Sequence, residues 1–336
     1  MTRRLLTRRA VLVGGGILAA GLGAGPLARR LFGAAASVFV ASGQRYDRSL
    51  APTMREALLA CGVVPGRIRG TRVLLKPNMV EPRRDRPQMT THPAFLVAAI
   101  EVFRDWGAEV LVGEGPGHLR DTEVALAESG IDAALEDAHA PFADLNYEDV
   151  VWVPKRGRHS RLEGFALPVS VASAHLVVSL PKMKTHHWIG VTASMKNLYG
   201  VLPGLHYGWP KNVLHYYGIP KTVADLNASM PPTLTIVDGI ECMEGDGPIL
   251  GTAKQMGLVV AGTNLPAVDA TVARIMGFNP RRIQYLRLAA PRVGPIADWR
   301  IEQRGERWQD LVDPFAILDR PHLERLRASP DGPLVS

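Results

Sequence analysis

The run from Arg72 to Gly115 constrains this chain more than any other part of it. RVLLKPN (72–78) is short, aliphatic and closed by turn residues, the pattern of a strand buried on both faces. THPAFLVAAIEVFRDWG (91–107) follows, with Phe95, Leu96, Ala99, Ile100, Phe103 and Trp106 at helical spacing. Thr91 is the expected N-cap, Pro93 falls in the first turn and Gly107 marks the stop. AEVLVGEG (108–115) then returns as a strand. A strand, a helix and a strand joined by short connections make a βαβ unit, which demands a parallel sheet with helices on its faces.

The alternation recurs. SVFVASG (37–43), AHLVVSLPK (174–182), PTLTIVDGIE (232–241) and MGLVVAGTN (256–264) read as further core strands. KTVADLNASM (221–230) and LPAVDATVARIMGF (265–278) read as helices, the second with Pro266 in its first turn and Gly277 near its stop. VVWVPKR (150–156) and WRIEQRGERW (299–308) look like peripheral strands. The chain has 336 residues, 46% of them hydrophobic, enough to fill one large core. The expectation is a single α/β domain over 37–336: a mostly parallel sheet flanked by helices, with an irregular insert near 200–220, LPGLHYGWPKNVLHYYG.

The segment before that domain has a different character. Residues 1–36 hold Arg3, Arg4, Arg8, Arg9, Arg29 and Arg30 and no acid, so they supply six of the seven net positive charges and leave the body at 7 − 6 = +1. A nucleic-acid footprint needs its charge on the folded body, which excludes that partner class. Thr7-Arg8-Arg9 followed by a glycine-rich apolar stretch is similar to a twin-arginine export signal. Six glycines between Ala10 and Ala28 make the stretch a poor membrane helix, so no stable span is expected after cleavage. Ala34-Ala35-Ala36 or Pro26-Leu27-Ala28 offers the cleavage site, and an uncleaved anchor is the alternative. The expected location is periplasmic, or otherwise extracytoplasmic, reached through the twin-arginine machinery.

In open α/β sheets, ligands settle beyond the carboxyl ends of the strands. Here those ends carry the polar groups. Lys76 and Asn78 follow one strand and Glu114 closes the next. Lys182, Lys184 and His186 follow the strand at 174, and Asp238, Glu241 and Glu244 follow the one at 232. The stretch PKMKTHHWIGVTASMKNLYGVLPG (181–204) sets Lys182, Lys184, His186, His187, Lys196 and Asn197 among glycines and apolar residues with no acid at all. A solvated face would carry acids, and a core segment would carry no lysines. Lysine and histidine suit carboxylate or phosphate groups. Lys184, His186 and Lys196 are therefore the expected catalytic residues, with His186 as proton-transfer group. Lys76, Asn78, His92 and Asn197 are the expected ligand-binding residues. Asp238, Glu244 and Glu114 suit a hard divalent metal, which prefers oxygen ligands. Lys76, Asn78, Glu114, Lys184, His186 and Asp238 are expected on one rim of the sheet. GEGPGH (113–118) lacks the spacing of a dinucleotide fingerprint.

LLKPN, THP, VGEGPG, LPKMKTH, SMKNLYG, DGIECMEGDGP and the later NLPAVDA together resemble the domain of unknown function 362 family, over roughly residues 70 to 280. Many relatives carry a ferredoxin-like iron–sulfur segment at one end. Cys61 and Cys242 are the only cysteines here, and a cluster takes about four, so no iron–sulfur cluster is expected. The family name carries no activity with it. The residues themselves fit three functions. One is an exported enzyme acting on a small anionic substrate, carboxylate or phosphate, with a divalent metal or a cofactor loaded before export. The others are an extracytoplasmic protein that captures an anion or metal, and a maturation partner of another exported enzyme. Titratable groups of both signs close together favour the enzyme.

Overall fold

The structure, a computed structural model, describes residues 36–118 and 121–327. The segment read as an export signal lies outside the described residues. Among those residues, no helix is long and apolar enough to cross a membrane.

The centre is a ten-stranded sheet. Its main path runs β12 (Glu302–Gly305), β1 (Ser37–Ala41), β11 (Thr252–Gly262), β10 (Thr233–Glu244), β7 (Leu176–Ser179), β2 (Arg72–Lys76), β3 (Glu109–Glu114) and β4 (Phe142–Asp144). The pairings from β10 across to β4 are parallel, and β11 is antiparallel to both of its neighbours. The α/β fold with a mostly parallel sheet is therefore as expected. WRIEQRGERW supplies the edge strand β12, parallel to β1. VVWVPKR leaves the main sheet altogether: β5 (Val150–Pro154) pairs only with β6 (Gly164–Pro168) in a separate two-stranded ribbon.

Both faces of the sheet are covered. Alternate strand residues such as Val73 and Leu75 join Phe95, Ala99 and Phe103 of the helix Pro93–Asp105 on one side. Leu74, Val177 and Val260 join the helices Ile219–Ser229 and Leu265–Ile275 on the other. Each fully buried side chain of this size contributes about 1.5–3 kcal/mol relative to exposure, so these two layers dominate stability.

Two local departures shape the site. The run AHLVVSLPK is not one strand. Pro181 has no N–H to donate to a ladder, and at Leu180–Pro181 the chain steps off β2. It resumes as β8 (Lys182–His186), paired with the outer half of β10 and with β9 (Gly190–Thr192). β8 thus projects past the ends of β2 and β3 as a wall. The helix after β2 is capped by His92, whose Nδ1 accepts from the amide of Ala94, and not by Thr91. Thr91 has another use: its hydroxyl donates to the Leu180 carbonyl and accepts from the Asn78 amide, tying together the loops that leave β2 and β7. The insert winds into short turns, Leu198–Val201, Gly204–Tyr207 and Asn212–Tyr216, that close over the carboxyl ends of the strands.

Candidate functional site

A cavity of about 310 Å³ lies beyond the ends of β2 and β3, between the β8 wall and the insert. Its base is an ion pair. Lys76 at the end of β2 and Glu114 at the end of β3 sit on neighbouring strands, and burial leaves each no better partner than the other. Lys76 Nζ also donates to the Pro77 carbonyl at 2.6 Å and to Asn197 Oδ1 at 3.2 Å. Asn78 Nδ2 donates to the same Asn197 oxygen at 3.0 Å. Burial pushes the Glu114 carboxyl up and the Lys76 ammonium down, and each group's charge partly restores the other.

The SMKNLYG segment supplies the side of the cavity. Its helical turn, Ser194–Asn197, is too short to hold itself. Buried Asp269, from the NLPAVDA helix, accepts from the Ser194 amide at 2.7 Å and from the Met195 amide at 3.1 Å, capping the turn from outside. Burial raises the Asp269 carboxyl to about 6, against those hydrogen bonds. Three residues after the turn, Gly200 passes over the ion pair so closely that a Cβ there would stand 2.2 Å from Glu114 Oε1 and 2.6 Å from Lys76 Nζ. The two glycine-bearing motifs meet here: the Gly115 amide donates to the Gly200 carbonyl at 3.0 Å.

Electrostatically the buried part of the site is a crowd of lysines around Glu114, with Asp144 acting on Lys211 as well. Half-buried Lys196 lies over the Tyr199 ring, 4.2 Å from its centroid. Burial, then the charges of Lys76 and Lys211, lower it to about 7, with Glu114 pulling the other way. Lys211, from the insert, donates to Asn146 Oδ1 at 2.8 Å and is lowered by burial to about 8. His186 is driven well below the usual imidazole range by burial and then by Lys196, and His215 is lowered to about 4 by the same two causes in that order. Both rings are therefore neutral near pH 7. His186 Nδ1 accepts from the Trp188 amide at 3.2 Å, which leaves the proton on Nε2. Trp188 stands exposed beside the opening, edge-on to His215 at 5.4 Å.

Asn78, Glu114, His186, Lys196 and Asn197 line this cavity, and Lys76 braces it from below. The remaining predicted residues go elsewhere. On β8, Lys182, Lys184 and His186 share one face of the pleat, about 7 Å apart in sequence order, so they reach three successive places. His186 reaches the cavity. Lys182 reaches a second cluster, donating to Asp238 Oδ2 at 2.7 Å and to the Tyr46 hydroxyl at 2.9 Å, while that hydroxyl donates to Asp238 Oδ1 at 2.7 Å. His92 belongs there: its amide donates to Asp238 Oδ2, and its ring stacks on Tyr46 at 3.7 Å. Lys184 lies between the two, fully buried, donating to the Met89 carbonyl at 2.8 Å and the Pro248 carbonyl at 3.4 Å. With no acid beside it, it sits well below the ordinary lysine range, through burial and then Lys182. It does not line the cavity.

The three carboxylates expected around a metal stand apart. Glu114 pairs with Lys76 and Asp238 with Lys182, while Glu244 accepts from the Ala316 amide and lies 3.6 Å from Lys254. Among the described residues, no three His, Cys, Asp or Glu side chains gather as a metal site requires. The residues present do not fit the metal site read from the sequence. Lys211, Asn146 and Tyr46 were missed. Lys211 is the one cation in an aromatic insert, a visible signal, whereas nothing local distinguishes Asn146 or Tyr46.

Two comparisons bear on this chain. A thylakoid-associated protein of Synechocystis sp. is 27% identical to it over 253 residues, 74% of this chain and 76% of that protein. The family described as Domain of unknown function (DUF362) matches residues 73–274, the span that carries β2, the β8 wall, the SMKNLYG turn and Asp269. The protein belongs to the DUF362 family.

Proposed function

We propose that this protein is an exported enzyme that takes a small carboxylate or phosphate into the cavity beyond β2 and β3, with Lys196 as its proton-transfer group. The observation that carries the reading is the imbalance of charge. Lys76 and Lys196 each interact with Lys184 and Lys211, and against these four lysines stand two carboxylates, Glu114 and, beside Lys211, Asp144. Like charges are held together in a desolvated place at a real energetic penalty, and an anion relieves it. Lys196 and Lys211 both line the cavity, and Lys196, the lower of the two at about 7, both gives up and takes back a proton at neutral pH. That capacity favours turnover over simple capture. Neutral His186 offers Nε2–H as a hydrogen-bond donor beside it, a positioning role in place of the proton transfer expected from sequence. Export rests on the Arg8-Arg9 segment, and the relative's description as thylakoid-associated is in keeping with a place at a membrane.

Calorimetric titration of the full chain with inorganic phosphate and a panel of small carboxylates tests the binding step. At least one anion is expected to bind, more weakly as pH rises through about 7, where Lys196 loses its charge. Lys196→Ala is expected to weaken binding at least about tenfold, and Lys196→Arg to retain most of it. Equal binding by wild type and Lys196→Ala would return this lysine to a structural role.

A further inference from the structure

Buried polar atoms normally find partners, and leaving one unpaired costs about 1–3 kcal/mol. Three that have no hydrogen-bond partner among the described residues belong to side chains lining this one cavity: Asn78 Oδ1, Glu114 Oε2 and Thr192 Oγ1. Their residues are 4%, 2% and 3% exposed.

The orientation of Asn78 is dictated by its neighbours. Lys76 spends its three protons on the Pro77 carbonyl, Glu114 Oε1 and one atom of Asn197, so that atom of Asn197 must be the oxygen. The Asn197 amide nitrogen then meets the Lys76 carbonyl at 3.2 Å and the Ser179 hydroxyl at 3.0 Å, both able to accept. Because the Asn197 oxygen also faces Asn78, the Asn78 atom there must be its nitrogen. Asn78 is left presenting a carbonyl oxygen, an acceptor at every pH. On Glu114, the Met79 amide favours the charged carboxylate, but no hydrogen bond reaches Oε2.

The cavity therefore makes two unlike demands. Its lysines call for an anion, and the unpaired oxygens of Asn78 and Glu114 call for a hydrogen-bond donor, which a simple carboxylate or a fully ionised phosphate monoester lacks. We propose that the ligand is a hydroxylated anion, a hydroxy acid or a polyol phosphate, whose hydroxyl donates to Asn78 Oδ1 with Glu114 Oε2 as the second acceptor. This rests on the anion-binding reading above. An ammonium group would meet the oxygens equally well, but Lys76, Lys196 and Lys211 stand too close for another cation to be favoured.

Matched pairs titrated calorimetrically into the full chain decide the matter: lactate against propionate, 3-hydroxybutyrate against butyrate, and glycerol 3-phosphate against propyl phosphate. In at least one pair the hydroxylated member is expected to bind about tenfold more tightly or better, because its analogue leaves a buried acceptor unpaired. Asn78→Leu is expected to bring that ratio towards one. Where Asn78→Leu fails to fold, Glu114→Gln makes the same test: Lys76 keeps the amide oxygen, so a donor replaces Oε2 and the ratio falls. Equal binding within every pair overturns this inference and leaves the anion-binding reading standing, the two acceptors then being met by water. A ratio unchanged in both variants overturns it too, and binding of no anion at all removes both.

Discussion

At the scale of the residue, the informative side chains are the lysines with too few acids. An unfolded lysine holds its proton to about pH 10.4, whereas folded Lys196 releases its proton at about 7. Between those values the unfolded chain binds more protons than the folded one, so folded stability rises with pH across that window. Below about 7 the penalty of the confined ammonium is fully present. Lys211, lowered to about 8, adds in the same direction. Thermal unfolding of the ligand-free protein is expected to move up by a few degrees from pH 7 to pH 9. Lys196→Met is expected to unfold higher than wild type at pH 7, by roughly 2–4 °C per kcal/mol recovered, and to show a flatter pH dependence. A wild-type melting temperature that falls over this range would contradict the assignment. Lys184 illustrates the opposite lesson. Lysines two residues apart in KMK share a face, yet that spacing carries Lys182 to Asp238 and Lys184 to two carbonyls, so neither lysine lines the cavity.

At the scale of the element, the cavity depends on pieces that cannot stand alone. The Ser194–Asn197 turn carries Lys196 and Asn197, and its first two amides are held by Asp269 from another helix. Asp269→Asn keeps the size but puts an amide nitrogen where one of two backbone donors must be accepted. A loss of about 1–3 kcal/mol is expected, read as a lower denaturation midpoint in urea with an unchanged slope. Anion affinity should fall further than that of a surface control, since Lys196 loses its support. Anion binding undiminished in Asp269→Asn would mean that the turn holds its place by packing alone. The strand–helix alternation from 72 to 115 was readable because each element's pattern is local: period, cap and stop lie within a few residues. The division of 174–186 into β7 and β8 hangs on one Pro181 and on which neighbours remain to pair with, and the sequence shows only the first of these.

At the scale of the whole molecule, the basic segment and the near-neutral body part company. Folded export, as proposed above, would account for both. Replacing Arg8 and Arg9 with lysines is expected to keep the charge and strand the protein in the cytoplasm, read by fractionation and immunoblotting of the exporting cell. Normal appearance of the variant beyond the inner membrane would end that proposal. The sequence by itself determined the α/β architecture, the mostly parallel sheet, and the gathering of Lys76, Asn78, Glu114, His186, Lys196 and Asn197 near strand ends, because hydrophobic period and turn chemistry are written locally and a parallel sheet brings like ends together. Only the tertiary structure decided which of those groups share one cavity. Asp238 and His92 turn to Tyr46 and Lys182, while Glu244 turns to Lys254 and the Ala316 amide. Lys211 enters from the insert to complete the cluster. Those choices depend on contacts between residues far apart in the chain, and on where each buried charge finds its nearest partner, which no local pattern encodes.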